Sequence, residues 1–217
     1  MTMNIKRGDM TVLEQFGIVP FDYITLKNVL GGYRYPGNKV SKMEQSGELI
    51  RLKKGLFVVS PKMHRMTISL DLIANHLYGP SYVSFENALS FYGLIPERVH
   101  NTRSMTLKRA RSFATPLGNF DYISAPQDYF RIGIRQEIVS DSFAYLIASP
   151  GKAICDLIVA TPGLRLQSVK AMQIYLEEDL RIELSAIEKS ETQIISACID
   201  AGIKKTELTQ LYKLLER

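Results

Sequence analysis

The tightest constraint on the fold is a pattern of stops in the first sixty residues. Three short segments with helical spacing are each ended by glycine, and a hairpin signature then closes the unit. Residues 10–16 read as a helix ended by Gly17, with Pro20 beyond it. Asp22 is placed to cap a second helix whose buried side is Ile24, Leu26, Val29 and Leu30, and Gly31-Gly32 stop it. Tyr33-Arg34-Tyr35-Pro36-Gly37 reads as a turn carrying two aromatics and a cation. Residues 38–46 are expected to form the third helix, ended by Gly47. Residues 48–52 and 56–59 have strand character, and Lys53-Lys54-Gly55 joins them as a tight hairpin closed by Pro61. Three helices followed by a hairpin is the order of a winged helix-turn-helix, in which the third helix enters a DNA groove.

The faces of these elements test that reading. At 100° per residue Val40 and Met43 fall on one side of the third helix, and Asn38, Ser41, Lys42 and Gln45 on the other. Asn and Gln pair with adenine, Lys with guanine or phosphate, and Ser with base or backbone. Glu44 falls towards the flank. In the hairpin Ile50 and Leu52 are expected to point one way and Arg51 and Lys53 the other, with Lys54 at the tip. Asn38, Ser41, Lys42 and Gln45 are therefore the candidate base contacts. Lys39, Arg51, Lys53, Lys54 and Arg34 are the candidate phosphate contacts.

Charge is distributed to match. The first seventy residues hold eleven Lys/Arg against five Asp/Glu, whereas the remainder holds sixteen against seventeen. All of the net +5 thus comes from the first third, as expected of a lobe that attracts a polyanion by phosphate contact and counterion release. A merely solvated basic face would give the same count; the polar helix side and cationic hairpin favour the DNA reading.

Beyond residue 62 the pattern changes to a mixed α+β region. Residues 68–77 and 84–92 read as amphipathic helices ended by Gly79-Pro80 and Gly93. Four strands are expected at 104–110, 119–124, 132–139 and 142–148, with Ser140-Asp141 as a turn. Pro150 opens a helix to Ala160, and helices are expected near 164–187, 190–201 and 204–216. The expected architecture is α+β: a winged helix over residues 1–62, then a domain over 63–217 with a small sheet and C-terminal helices. A second basic cluster, Arg98, His100, Arg103, Lys108, Arg109 and Arg111, surrounds the strand at 104–110, with Lys108 projecting opposite to Leu107 and Arg109. It reads as a further nucleic-acid contact or as an edge strand guarded by charge.

No catalytic, metal-binding or cofactor-binding constellation is legible. His64, His76 and His100 have no ligand spacing, and Gly151-Lys152 lacks both the earlier glycine and the following Ser/Thr of a phosphate loop. Lys152 and Asp156, four apart, are expected to form a surface or partly buried pair. Cys155 and Cys198 read as buried reduced thiols. The polar start and the interrupted apolar run at 144–160 contain neither an export signal nor a membrane span, so a cytoplasmic chain is expected.

Three stretches carry a family resemblance. They are Gly47-Glu48-Leu49-Ile50-Arg51-Leu52-Lys53-Lys54-Gly55-Leu56-Phe57, then Tyr82-Val83-Ser84-Phe85-Glu86-Asn87-Ala88-Leu89-Ser90-Phe91-Tyr92-Gly93-Leu94-Ile95-Pro96, then Ile147-Ala148-Ser149-Pro150-Gly151-Lys152-Ala153-Ile154-Cys155-Asp156-Leu157. In this order, across residues 10–160, the chain resembles the AbiEi antitoxin family of type IV toxin–antitoxin systems linked to abortive phage infection. Tyr92 stands where the family has a histidine-type position. The resemblance implies a bacterial repressor that binds inverted repeats in its own promoter through the winged helix. It also implies a nucleotidyltransferase-like toxin countered through the second domain without a stable complex. A stand-alone regulator, or a protein-interaction module with no toxin partner, is the alternative. An enzyme acting on nucleic acid would need an acidic metal cluster that the sequence does not offer.

Overall fold

The computed structural model describes residues 13–64, 66–96, 99–139 and 143–216. The fold is α+β, built on two sheets with helices closing the chain. The amino-terminal part contains β1 (Phe21–Asp22), α1 (Tyr23–Val29), α2 (Pro36–Gln45), β2 (Leu49–Lys53) and β3 (Leu56–Val59). Its three strands form an antiparallel sheet in the order β1-β3-β2. The expected helix at 10–16 lies partly outside the described residues; within them Leu13 and Glu14 are helical. Asp22 caps α1 as expected, its Oδ1 accepting from Thr25 N at 2.7 Å. Helix α2 starts at Pro36, two residues earlier than the sequence reading, because proline's fixed φ and missing N–H suit the first helical position. Gly55 at the hairpin tip has φ +79°, which a side chain would strain.

The second part contains α3 (Leu70–Leu77), β4 (Ser81–Val83), α4 (Phe85–Phe91), β5 (Thr102–Thr106), β6 (Arg111–Thr115), β7 (Gly118–Ser124), α5 (Gln127–Phe130), β8 (Ile134–Val139) and β9 (Phe143–Ala148). Helix α6 (Pro150–Ala160) follows, then α7 (Val169–Ile174) with a π turn at Tyr175–Asp179, a 3-10 turn at Leu184–Ala186, α8 (Glu191–Asp200) and α9 (Lys205–Leu215). The strands form one six-stranded sheet in the order β6-β7-β5-β4-β9-β8, parallel at β5–β7 and β4–β9 and antiparallel elsewhere. Two strands, β4 and β6, were not expected. The strand anticipated at 104–110 runs from Thr102 to Thr106, so Lys108 is not a strand residue and its expected alternation with Leu107 and Arg109 does not occur. The anticipated helix at 164–187 breaks after the π turn, where Arg181 takes φ +51°. The turn at Ser140-Asp141 and the first residue of the strand anticipated at 142 lie outside the described residues.

Two hydrophobic clusters divide the core. Leu13, Phe21, Leu26, Leu30, Val40, Met43, Leu49, Phe57 and Val59 form the smaller one. The opposite side of the hairpin, Leu52 and Val58, joins Ile18 in the large cluster formed mainly by residues beyond 66. The hairpin is therefore buried on both sides, and the amino-terminal sheet is seated on the second part.

Helix α6 carries a polar knot through that large core. Lys152 and Asp156 are both fully buried, with Nζ 3.1 Å from Oδ1, which corrects the expected surface or partly buried pair. The reason is non-local: Ser84 Oγ donates to Asp156 Oδ2 at 2.6 Å and Lys152 Nζ donates to the Tyr129 carbonyl at 3.0 Å. Cys155 and Cys198 are free and buried, as read from the sequence, and α6–α8 packing brings their thiols into contact. Burial pushes the Cys155 thiol up, whereas the hydrogen bond from Cys155 lowers that of Cys198.

Asp71, in the first turn of α3, makes stability depend on pH. Burial pushes its carboxyl up to about 6, outweighing the Tyr145 hydrogen bond that lowers it. The folded state thus holds a proton between pH 4 and 6 that the unfolded chain has released, and stability falls as pH rises through that window. The shift sets an upper bound of about 3 kcal/mol. Residual solvation and the favourable helix N-terminus leave about 1–2 kcal/mol. Asp71→Asn is expected to be more stable than the parent by that amount at pH 7 and to lose the advantage near pH 4. Urea midpoints across this range check it; an advantage that does not change with pH would exclude Asp71 as the source.

Candidate nucleic-acid interface

Helix α2 separates its residues as the periodicity requires. Val40 and Met43 are buried in the small cluster, while Asn38, Ser41, Lys42 and Gln45 are all exposed on the other side. Ser41 Oγ donates to the Gly37 carbonyl at 3.1 Å, so its hydroxyl proton is turned into the helix and its lone pairs face outward as acceptors. Around the start of α2 the chain holds cations against rings: Arg34 lies 5.4 Å from the Tyr35 ring centroid and Lys39, in the first turn of the helix, lies 5.4 Å from that of Tyr33. Tyr35 is 61% exposed. The two tyrosines were read only as turn residues, although the run Tyr-Arg-Tyr-Pro sets them directly ahead of α2.

The hairpin departs from expectation. Arg51 is clamped by Glu44 through two bonds, Nε to Oε1 at 2.6 Å and Nη2 to Oε2 at 2.5 Å, and lies over the Phe57 ring at 5.2 Å. The Arg51 hydrogen bond holds the Glu44 carboxyl below its usual range. Glu44 therefore ties α2 to β2 and neutralises one of the expected phosphate contacts. The pairing of β2 with β3 is irregular between Arg51 and Lys53, where an extra residue on β2 turns Lys53 away from the Arg51 side. Lys53 Nζ instead donates to the Leu77 carbonyl and lies 5.8 Å from the Phe113 ring. Burial first, then the charges of Lys108 and Arg111, lower the pKa of its ammonium. The expected common orientation of Arg51 and Lys53 is thus corrected. Lys54 remains exposed at the tip.

The second basic cluster is split. Lys108 sits over Tyr78 at 5.0 Å and Arg111 over Phe113 at 4.8 Å, beside Lys53 at the turn end of the hairpin, with Arg109 exposed next to them. Arg103 lies at the other end of β5, paired with Glu86 at 2.7 Å and stacked 4.2 Å from Phe85. Arg98 lies outside the described residues. Among the described residues no group of three or more His, Cys, Asp or Glu is placed to hold a metal ion. No helix among them is long and apolar enough to cross a membrane.

No protein-family model matches the chain, and no curated protein matches it either. Among solved structures, the RV2827C protein from Mycobacterium tuberculosis is similar in fold, with a TM-score of 0.58 over 96% of this chain and 75% of that one. At 11% sequence identity the likeness concerns the fold alone.

Proposed function

We propose that the chain is a DNA-binding transcriptional regulator whose amino-terminal part is a winged helix and whose α2 reads the major groove. One observation carries this reading: Asn38, Ser41, Lys42 and Gln45 are all exposed on the side of α2 opposite Val40 and Met43. Such a surface offers donors and acceptors for base edges. Lys54 at the hairpin tip, with Arg34 and Lys39 before and within α2, supplies phosphate contacts. Lys53 is left out of that set, and Arg51 contributes little while Glu44 holds it. The charges at Lys108, Arg109 and Arg111 extend the positive surface from the turn end of the hairpin. On the AbiEi resemblance, the reading extends to a repressor of its own operon that counters a nucleotidyltransferase-like toxin without forming a stable complex.

A salt titration on double-stranded DNA from upstream of its gene tests the assignment. Arg34→Ala and Lys54→Ala are each expected to flatten the dependence of log affinity on log salt by about one unit. Lys53→Met is expected to leave the slope unchanged. Equal effects from Lys53 and Lys54 would contradict the hairpin geometry, and failure of the parent chain to bind would refute the regulator reading.

A further inference from the structure

Strand β8 ends the six-stranded sheet, with no strand on its outer side among the described residues. Edges of this kind pair readily unless something blocks them. By its register with β9, β8 sets Ile134, Gln136 and Ile138 on one face with Ala148, Leu146 and Ala144. That face is unusually bare: Ile138 is 67% exposed and Leu146 is 40% exposed. An open groove of about 340 Å³ lies there, lined by Asn75, His76, Gln136, Ala144, Tyr145 and Leu146. On the other face Arg135 and Glu137 lie beside Phe91 and Tyr92. The Phe91 ring, 48% exposed, is 6.4 Å from the ring of Tyr145, the β9 partner of Glu137.

The strand is complementary to itself. Laid antiparallel to a second copy with Gln136 opposite Gln136, it sets each Arg135 against the other copy's Glu137 and each Ile134 against the other copy's Ile138. Two ion pairs and two apolar pairs then flank the dyad, and residues directly opposite in such a ladder stabilise it. Slipping the register by one residue sets Gln136 against Glu137 and Arg135 against Ile138, and both kinds of match are lost. Arg135 can take part because Glu191 engages only its Nη2, and its side chain keeps 43% exposure. We propose that β8 is the seam of a two-fold homodimer in which the β8 strands of two copies pair antiparallel about Gln136, joining two six-stranded sheets into one. A two-fold seam buries the same patch on both copies, here covering Ile138, Leu146 and Phe91. The proposal does not depend on the DNA-binding reading.

Sedimentation of the full chain is expected to give twice the 24.5 kDa monomer mass. Glu137→Arg, which sets arginine against arginine, is expected to return it to monomer with its fold intact by circular dichroism. Register is tested by cross-linking. Opposed Cα atoms in an antiparallel pair lie about 4.5–5.5 Å apart, within disulfide range. Gln136→Cys is therefore expected to form a covalent dimer under mild oxidation with diamide. Glu137→Cys, offset from its own copy along the strand, is not. A monomeric parent chain, a dimer indifferent to Glu137→Arg, or equal cross-linking at 136 and 137 would each overturn the proposal.

Discussion

Asp156→Ala is expected to cost about 3–5 kcal/mol, the range for removing one partner of a buried ion pair. Lys152 and Asp156 are both fully closed to solvent. Without the carboxylate the ammonium keeps only the Tyr129 carbonyl at 3.0 Å and the Tyr129 ring, whose centroid lies 3.1 Å from Nζ. A carbonyl and a ring face orient around a cation but do not neutralise it. Ser84 Oγ would also lose its acceptor at zero exposure. Set against a typical total of about 5–15 kcal/mol, the loss leaves much of the population unfolded. Lys152→Met is destabilising for the mirror reason, because Asp156 would stay charged with Ser84 as its donor. The double variant Lys152→Met, Asp156→Leu removes both charges and is expected to regain most of what either single change loses. Urea unfolding of the parent, Lys152→Met, Asp156→Leu and the double variant closes the cycle. Additive losses would show that the two side chains do not sense one another and would refute the pairing.

That pair also marks where sequence reasoning stops. Short-range signals transferred well. The Asp22 cap, the Lys54-Gly55 hairpin and the Pro150 helix start depend on neighbours within a few residues, and each forms at or within a residue of the position read. The polar face of α2 was legible because periodicity alone assigns it. What failed depends on distant partners. Lys152 was read as half of a surface or partly buried pair because nothing near it in the sequence shows that Tyr129 and Ser84 close over the two side chains. Strand β4 is three residues long and buried throughout, too short for alternation to register, yet it lies in the middle of the sheet. Strand β6 opens with exposed Arg111 and Ser112 and resembles a polar connection. Within the candidate interface the bulge after Arg51 was the costly omission. One extra residue redirected Lys53 from the expected phosphate side to the Leu77 carbonyl. The sequence carries no glycine there to announce it. The Arg51–Glu44 clamp was likewise hidden, because it joins two elements whose relative angle the sequence does not give.

Glu191→Ala should be the second severe lesion, because this carboxylate satisfies three donors from two other elements. It is 1% exposed and accepts from Ser149 Oγ at 2.7 Å, from Gly151 N at 2.8 Å and from Arg135 Nη2 at 2.5 Å. Ser149 and Gly151 belong to the first turn of α6, whose free N–H groups favour a negative charge. Arg135 belongs to β8, so one side chain fixes α6, α8 and the sheet edge together. Truncation leaves the Ser149 hydroxyl and the Gly151 amide buried without an acceptor. Each unsatisfied group costs about 1–3 kcal/mol, and together with the lost Arg135 bond a total of about 3–4 kcal/mol is expected. Glu191→Gln, which keeps the shape and one carbonyl acceptor, should lose about half as much. Gly151 supplies an internal check, since a Cβ there would lie 2.8 Å from Glu191 Oε2 and 3.0 Å from its Cβ. Gly151→Ala is therefore destabilising while Glu191 is present and less so once position 191 is alanine, because the 2.8 Å approach to Oε2 has gone while the 3.0 Å approach to Cβ stays. Unfolding free energies of the four chains measure this coupling. If Gly151→Ala cost the same in both backgrounds, the carboxylate would not lie against the α6 amino terminus and its role as the joint of these elements would be wrong.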